Sequence, residues 1–123
     1  MFSNLVALLL LVRLANTLRV DNLSVSGKEA QSITLEWSLP ATIDPEWIAY
    51  KIKYSTDNLI YTPILLKNIN VKKFRLDNLK PNTEYKIQIS AVNKNDLEGP
   101  ATDFVLARTL DAGLSRSMNI AFD

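Results

Sequence analysis

From Leu23 onward the apolar residues recur at every second position, and that period predicts strands rather than helices. Leu23 and Val25 alternate with polar neighbours until Gly27 breaks the run. Ile33, Leu35 and Trp37 alternate with Thr34 and Glu36, and Pro40 ends the segment because proline cannot donate to a ladder. Beyond an Asp44-Pro45 loop, Ile48, Tyr50, Ile52 and Tyr54 share one face while Lys51 and Lys53 take the other. Ser55, Thr56, Asp57 and Asn58 are turn chemistry. Residues 60–66 are apolar but interrupted by Pro63, which predicts one or two short edge strands. Phe74 and Leu76 continue the pattern. Tyr85, Ile87, Ile89 and Ala91 then oppose Lys86, Gln88 and Ser90, a polar loop fills residues 93–100, and Val105, Ala107 and Thr109 close the series. About seven short strands, each with one apolar face, predict two antiparallel sheets packed face to face, an all-β sandwich.

Upstream of this pattern, residues 5–12 read LVALLLLV, eight apolar residues without a break. A helix needs about twenty to cross the hydrocarbon core of a bilayer. The run instead fits the hydrophobic segment of a secretory signal, about 7–15 residues ahead of a small-residue cleavage site. The leading MFSN carries no side-chain cation, and Arg13 follows the run. Ala15 occupies the small position two before Thr17, so cleavage is expected after Thr17. The expected organisation is a signal peptide over 1–17, one domain over 18–110 and a short tail over 111–123. The product is expected to be exported, with no membrane insertion after cleavage. In the tail, Met118, Ile120 and Phe122 alternate like a strand with nothing to pair against.

Charge and composition narrow the function classes. Lys and Arg number 14 against 13 Asp and Glu, and the surplus cation, Arg13, is removed with the signal. A near-neutral chain offers no broad positive field to a phosphate backbone, so no nucleic-acid partner is expected. There is no His and no Cys. That removes the usual general base at neutral pH, thiol nucleophiles, disulfides and thiolate metal sites. Ser, Lys and the scattered carboxylates form no activated arrangement. No enzyme, cofactor or metal centre is expected.

The stretch LDNLKPNTEYKIQISAVN, residues 76–93, carries the most specific signal. A tyrosine near the start of a strand that crosses between sheets can bury its ring while its hydroxyl returns to backbone a few residues upstream. Pro81 stiffens the turn and Leu79 covers the ring. The segment Leu79-Lys80-Pro81-Asn82-Thr83-Glu84-Tyr85 resembles the L-x-P-x-T-x-Y signature of fibronectin type III domains. Leu35-Glu36-Trp37 resembles the strand of the core tryptophan, and Tyr50-Lys51-Ile52-Lys53-Tyr54 the third strand. Ala91-Val92-Asn93, Gly99-Pro100 and Arg108-Thr109-Leu110 follow in the expected order. The likeness covers roughly residues 21–110. It implies a seven-stranded, immunoglobulin-like sandwich whose core includes Trp37, Tyr50, Ile52, Tyr54, Leu79, Pro81, Tyr85 and Ile87, and it accounts for the missing cysteines. It also implies a non-catalytic binding module for another extracellular or cell-surface protein, in adhesion or signalling. The alternative is a structural spacer within a larger multi-domain receptor or matrix protein.

Several residues are candidates for contact with such a partner. With Ile48 in the core-facing register, Trp47 is expected in the loop before the third strand, directed outward, where exposed aromatics make binding anchors. Val92, Phe104 and Leu106 are expected to form an outward apolar strip on the last two strands. Integrin-binding relatives often carry Arg-Gly-Asp in the loop that here reads NKNDLEG, so that activity does not carry over. Asn95, Asp96 and Glu98 supply oxygens for a hard cation, but a solvated turn fits them better, because no recognised ligand spacing appears. Lys51, Lys53 and Lys86 on one sheet face, with Lys72, Lys73, Arg75 and Lys80 elsewhere, raise heparin-like polyanion binding. An ordinary solvated face fits that near-neutral surface better. Asn22-Leu23-Ser24 is an N-glycosylation triplet.

Overall fold

The structure, a computed structural model, describes residues 18–112. Seven strands run in chain order as β1 (Asp21–Lys28), β2 (Ile33–Ser38), β3 (Trp47–Ser55), β4 (Thr62–Leu66), β5 (Lys73–Leu76), β6 (Glu84–Asn93) and β7 (Val105–Arg108). They form a three-stranded sheet, β1-β2-β5, and a four-stranded sheet, β4-β3-β6-β7, with antiparallel pairing throughout. This is the all-β sandwich that the period of two predicts. The expected signal peptide (1–17) and nearly all of the expected tail, including Met118, Ile120 and Phe122, lie outside the described residues.

Alternation builds the core directly. On β2, Ile33, Leu35 and Trp37 are buried while Thr34, Glu36 and Ser38 are partly open. On β3 and β6, Tyr50, Ile52, Ile87 and Ile89 face them with no exposed surface. Trp37 meets Tyr50 edge to face at 5.1 Å between ring centroids, and the Tyr50 hydroxyl donates to the Ile69 carbonyl at 2.6 Å. Burial raises the Tyr50 phenol above its ordinary value of 10.0, and the neighbouring Trp37 offsets only part of the rise. A buried Tyr of this kind supplies apolar area and one satisfied polar end. Tyr54 is partly buried against the core and reaches Tyr85 at 6.0 Å. Leu79 and Tyr85 are buried at the bottom of the sandwich.

Pro81 departs from the expected core list, because it is exposed. It serves by restricting the turn backbone rather than by burying its ring. Within residues 60–66 a single strand forms, β4 (Thr62–Leu66), at the edge of the four-stranded sheet, where Pro63 is tolerated. Asn58, Asn78, Asn82 and Asp96 take the left-handed backbone conformation at turns, as Asn and Asp do more readily than bulkier residues.

Candidate interaction surface

Trp47 and Val92 are not on the surface. Trp47 is 4% exposed and belongs to the core cluster, whereas Ile48 beside it is 48% exposed. The cause is a register shift on β3: Trp47 pairs with Asn93 and Ala49 with Val92. That irregularity reverses the alternation between Trp47 and Tyr50, so a phase extrapolated back from Tyr50 assigns the wrong face. Trp47 closes one end of the sandwich. A Cβ added to Gly99 would lie 3.3 Å from its ring and would run into the Leu18 carbonyl oxygen. Leu18 is itself buried. The close approach of backbone here requires a glycine.

Val92 is 4% exposed because the following hairpin folds back over its strand. It forms a bridge with Glu98, and the loop is fixed by the Asn93 N–H on the Leu97 carbonyl and the Lys94 N–H on the Glu46 carbonyl. The expected strip from Val92 to Leu106 is therefore broken. Leu106 instead lies opposite Lys86, near the other end of β6.

Phe104 and Leu106 do remain outside, at 43% and 61% exposure. Phe104 stacks on Tyr61, with centroids 6.0 Å apart and ring planes at 27°. The Lys86 ammonium sits 4.2 Å above the Phe104 ring, within range for a cation–π contact. Tyr61 arrives from the β3–β4 loop, which is ordered by Asp57. Its carboxylate accepts the Leu59 and Ile60 N–H groups at 2.9 and 3.0 Å and the Ser55 hydroxyl at 3.0 Å. Those bonds, led by the one from Ile60, hold the Asp57 carboxyl below its ordinary value. Beside the stack, Ser55, Thr56, Asn58, Glu84, Lys86, Phe104 and Leu106 line a shallow cleft of about 310 Å³. The result is a surface patch with an aromatic pair, one cation and one exposed leucine. Sequence reasoning missed Tyr61 because Leu59-Ile60-Tyr61 has no strand period, and only the fold brings it to Phe104.

The lysine face is largely occupied. Lys51 and Lys53 reach the Glu98 carboxylate at 3.4 and 3.2 Å, and the Ser90 hydroxyl donates to it at 2.9 Å. Partial burial alone would raise the Glu98 pKa; Ser90, Lys53 and Lys51 together outweigh it and bring it below the ordinary value. Lys73 pairs with Glu36, and Arg75 with Glu29 and Asp77. Lys51, Lys53, Lys73 and Arg75 thus each have a carboxylate partner. Glu98, which lies beside Asn95 and Asp96 in the sequence, is engaged by Lys51, Lys53 and Ser90 of the sheet. Among the described residues no group of three or more acidic, His or Cys side chains is placed to hold a metal ion, and no helix is long and apolar enough to cross a membrane.

Comparison with known proteins places this geometry. The family model described as "Fibronectin type III domain" matches residues 18–104. Human Neogenin is 29% identical over 101 residues, covering 79% of this chain but only 7% of Neogenin. Fibronectin type III domain-containing protein 1 of Margaritifera margaritifera is 28% identical over 109 residues, 77% of this chain and 14% of that protein. The chain thus spans a small fraction of the curated relatives it matches. Among solved structures, chicken CNTN1 FN1–FN3 domains superpose with a TM-score of 0.68 at 24% identity, over 77% of this chain and 33% of that one. A structure titled "Myokine structure" gives 0.64 at 22% identity, over 77% and 99%. At these identities the structural likeness speaks for the fold alone.

Proposed function

We propose, from the premise that this chain belongs to the fibronectin type III family, that it is an exported, non-catalytic module that binds another extracellular or cell-surface protein. The family is typical of adhesion receptors and other extracellular proteins, and its domains generally work by contact rather than by chemistry. The observation that carries the reading is the Tyr61–Phe104 stack under Lys86, next to the 61%-exposed Leu106. Aromatic rings left on the surface with an amphipathic cation beside them make good anchors, because they bury large area at little entropic cost. Export rests on the apolar run at 5–12 and on Leu18, buried in the core immediately after the expected cleavage point.

The test is capture of cell-surface and secreted proteins by the full chain, compared with Phe104→Ala and Leu106→Asp. Both substitutions lie outside the core cluster, so the fold should persist while capture is lost. Equal capture by the three proteins removes this face from the proposal. N-terminal sequencing of the exported protein should begin at Leu18.

A second reading, a structural spacer within a larger adhesion receptor or matrix protein, draws support from the 7% and 14% coverage of the relatives. The transcript beyond Asp123 separates the two: further sandwich domains there favour the spacer.

A further inference from the structure

The chain contains one Asn-x-Ser/Thr triplet, Asn22-Leu23-Ser24, and the recognition face does not use it. In the structure the triplet occupies the start of β1. Asp21 pairs with Ser38 and the next pair is Ser24 with Glu36, so two residues stand opposite one. This is a bulge. Asn22 has φ of 57°, the left-handed conformation that Asn tolerates. The bulge lets Leu23 pack against the core while Asn22 and Ser24 are exposed. The Asn22 side-chain nitrogen donates to the Ser38 hydroxyl at 2.9 Å. β1 is an outer strand of its sheet, so one of its edges has no strand partner.

We propose that Asn22 is an N-glycosylation site whose glycan covers the open edge of β1. The inference rests on export of the chain. The transfer joins the Asn22 amide nitrogen to the anomeric carbon of an oligosaccharide carried on a lipid pyrophosphate. The carbon–oxygen bond to the pyrophosphate breaks, the lipid pyrophosphate leaves as the anion, and one of the two amide protons passes through a base of the transferase to solvent. Asn22 is exposed, so the folded domain accepts the modification without moving a buried group. The glycan has a physical use. An unpaired strand edge is a template for edge-to-edge association. β1 carries Lys28 at one end, and the glycan shields the other.

The experiment expresses the full chain in secreting animal cells in two forms, with its own N-terminus and behind an unrelated cleavable leader. Intact mass is read before and after peptide-N-glycosidase, and peptide mapping locates the aspartate that the enzyme leaves at position 22. Glycosidase-sensitive mass in the secreted protein, lost in Ser24→Ala, is the expected result; that variant keeps the Asn22–Ser38 bond. Unmodified Asn22 in the leader-directed protein overturns the site. If only the leader-directed form is secreted, and it is glycosylated, the export reading falls while the site stands. The covering role has its own readout: glycan removal should raise hydrogen exchange of the outer β1 amides. Unchanged exchange there overturns it.

Discussion

The hydroxyl of Tyr85 accepts the backbone N–H of Lys80 at 2.8 Å, closing the corner through which the chain passes into β6. Thr109 braces the same corner from the other side. Its hydroxyl donates to the Lys80 carbonyl and accepts the Thr83 N–H at 3.0 Å. Tyr85→Phe keeps the ring and leaves the Lys80 N–H without its acceptor. The expected cost is about 1–2 kcal/mol, read as a lower urea midpoint with an unchanged slope.

Trp47→Ala is expected to destabilise by about 3–5 kcal/mol, the range for emptying a large aromatic site in a core. A thermal midpoint equal to that of the parent would contradict the burial of this ring.

Gly99→Ala asks the loop to admit a methyl where the Leu18 carbonyl already sits. Either the loop or residues 18–20 must shift, at a cost of about 1–3 kcal/mol. Hydrogen exchange should quicken selectively near Leu18 and Val20, because that segment yields first. Uniform exchange with unaltered stability would argue against the contact.

Glu98 gives a pH dependence with a fixed sign. Its folded pKa lies below the ordinary glutamate value of 4.5, so its stabilising contribution is present above that value. The contribution is lost as pH falls through the lower, folded pKa. Glu98→Gln should therefore be less stable than the parent at neutral pH, and the two denaturation curves should converge on acidification. The same substitution releases Lys51 and Lys53, and should lengthen retention on a heparin column at low salt.

Tyr61 and Phe104 should be energetically coupled. A double-mutant cycle with Tyr61→Ala and Phe104→Ala is expected to give about 0.5–1.5 kcal/mol of interaction. Lys86→Gln should remove a further fraction if its ammonium is seated on the ring. Strict additivity of the two alanine substitutions would mean that the stack is not populated in solution.

Much of the fold can be read from local pattern. The run Tyr85, Ile87, Ile89 and Ala91 alternates without interruption, and each of these four is buried. The corner's signature is equally local, because Leu79, Lys80, Pro81, Thr83 and Tyr85 lie within one short segment, although Thr109 arrives from the far end of the domain to brace it. The outer patch reads poorly for the opposite reason. Tyr61 and Phe104 come from separate loops, and no spacing links them.

Parity along the chain, turn residues and the L-x-P-x-T-x-Y segment by themselves determined that this protein is a two-sheet sandwich built around Trp37 and Tyr85. Only the tertiary structure decided which residues near the strand ends face outward. A register shift between Trp47 and Ala49 turns an indole inward, and a hairpin folded back through the Val92–Glu98 bridge covers a valine. The physical reason is that side-chain direction in a strand is a local, period-two property only while the ladder is regular. Where a bulge or a returning loop interrupts it, burial is set by what the rest of the chain brings alongside.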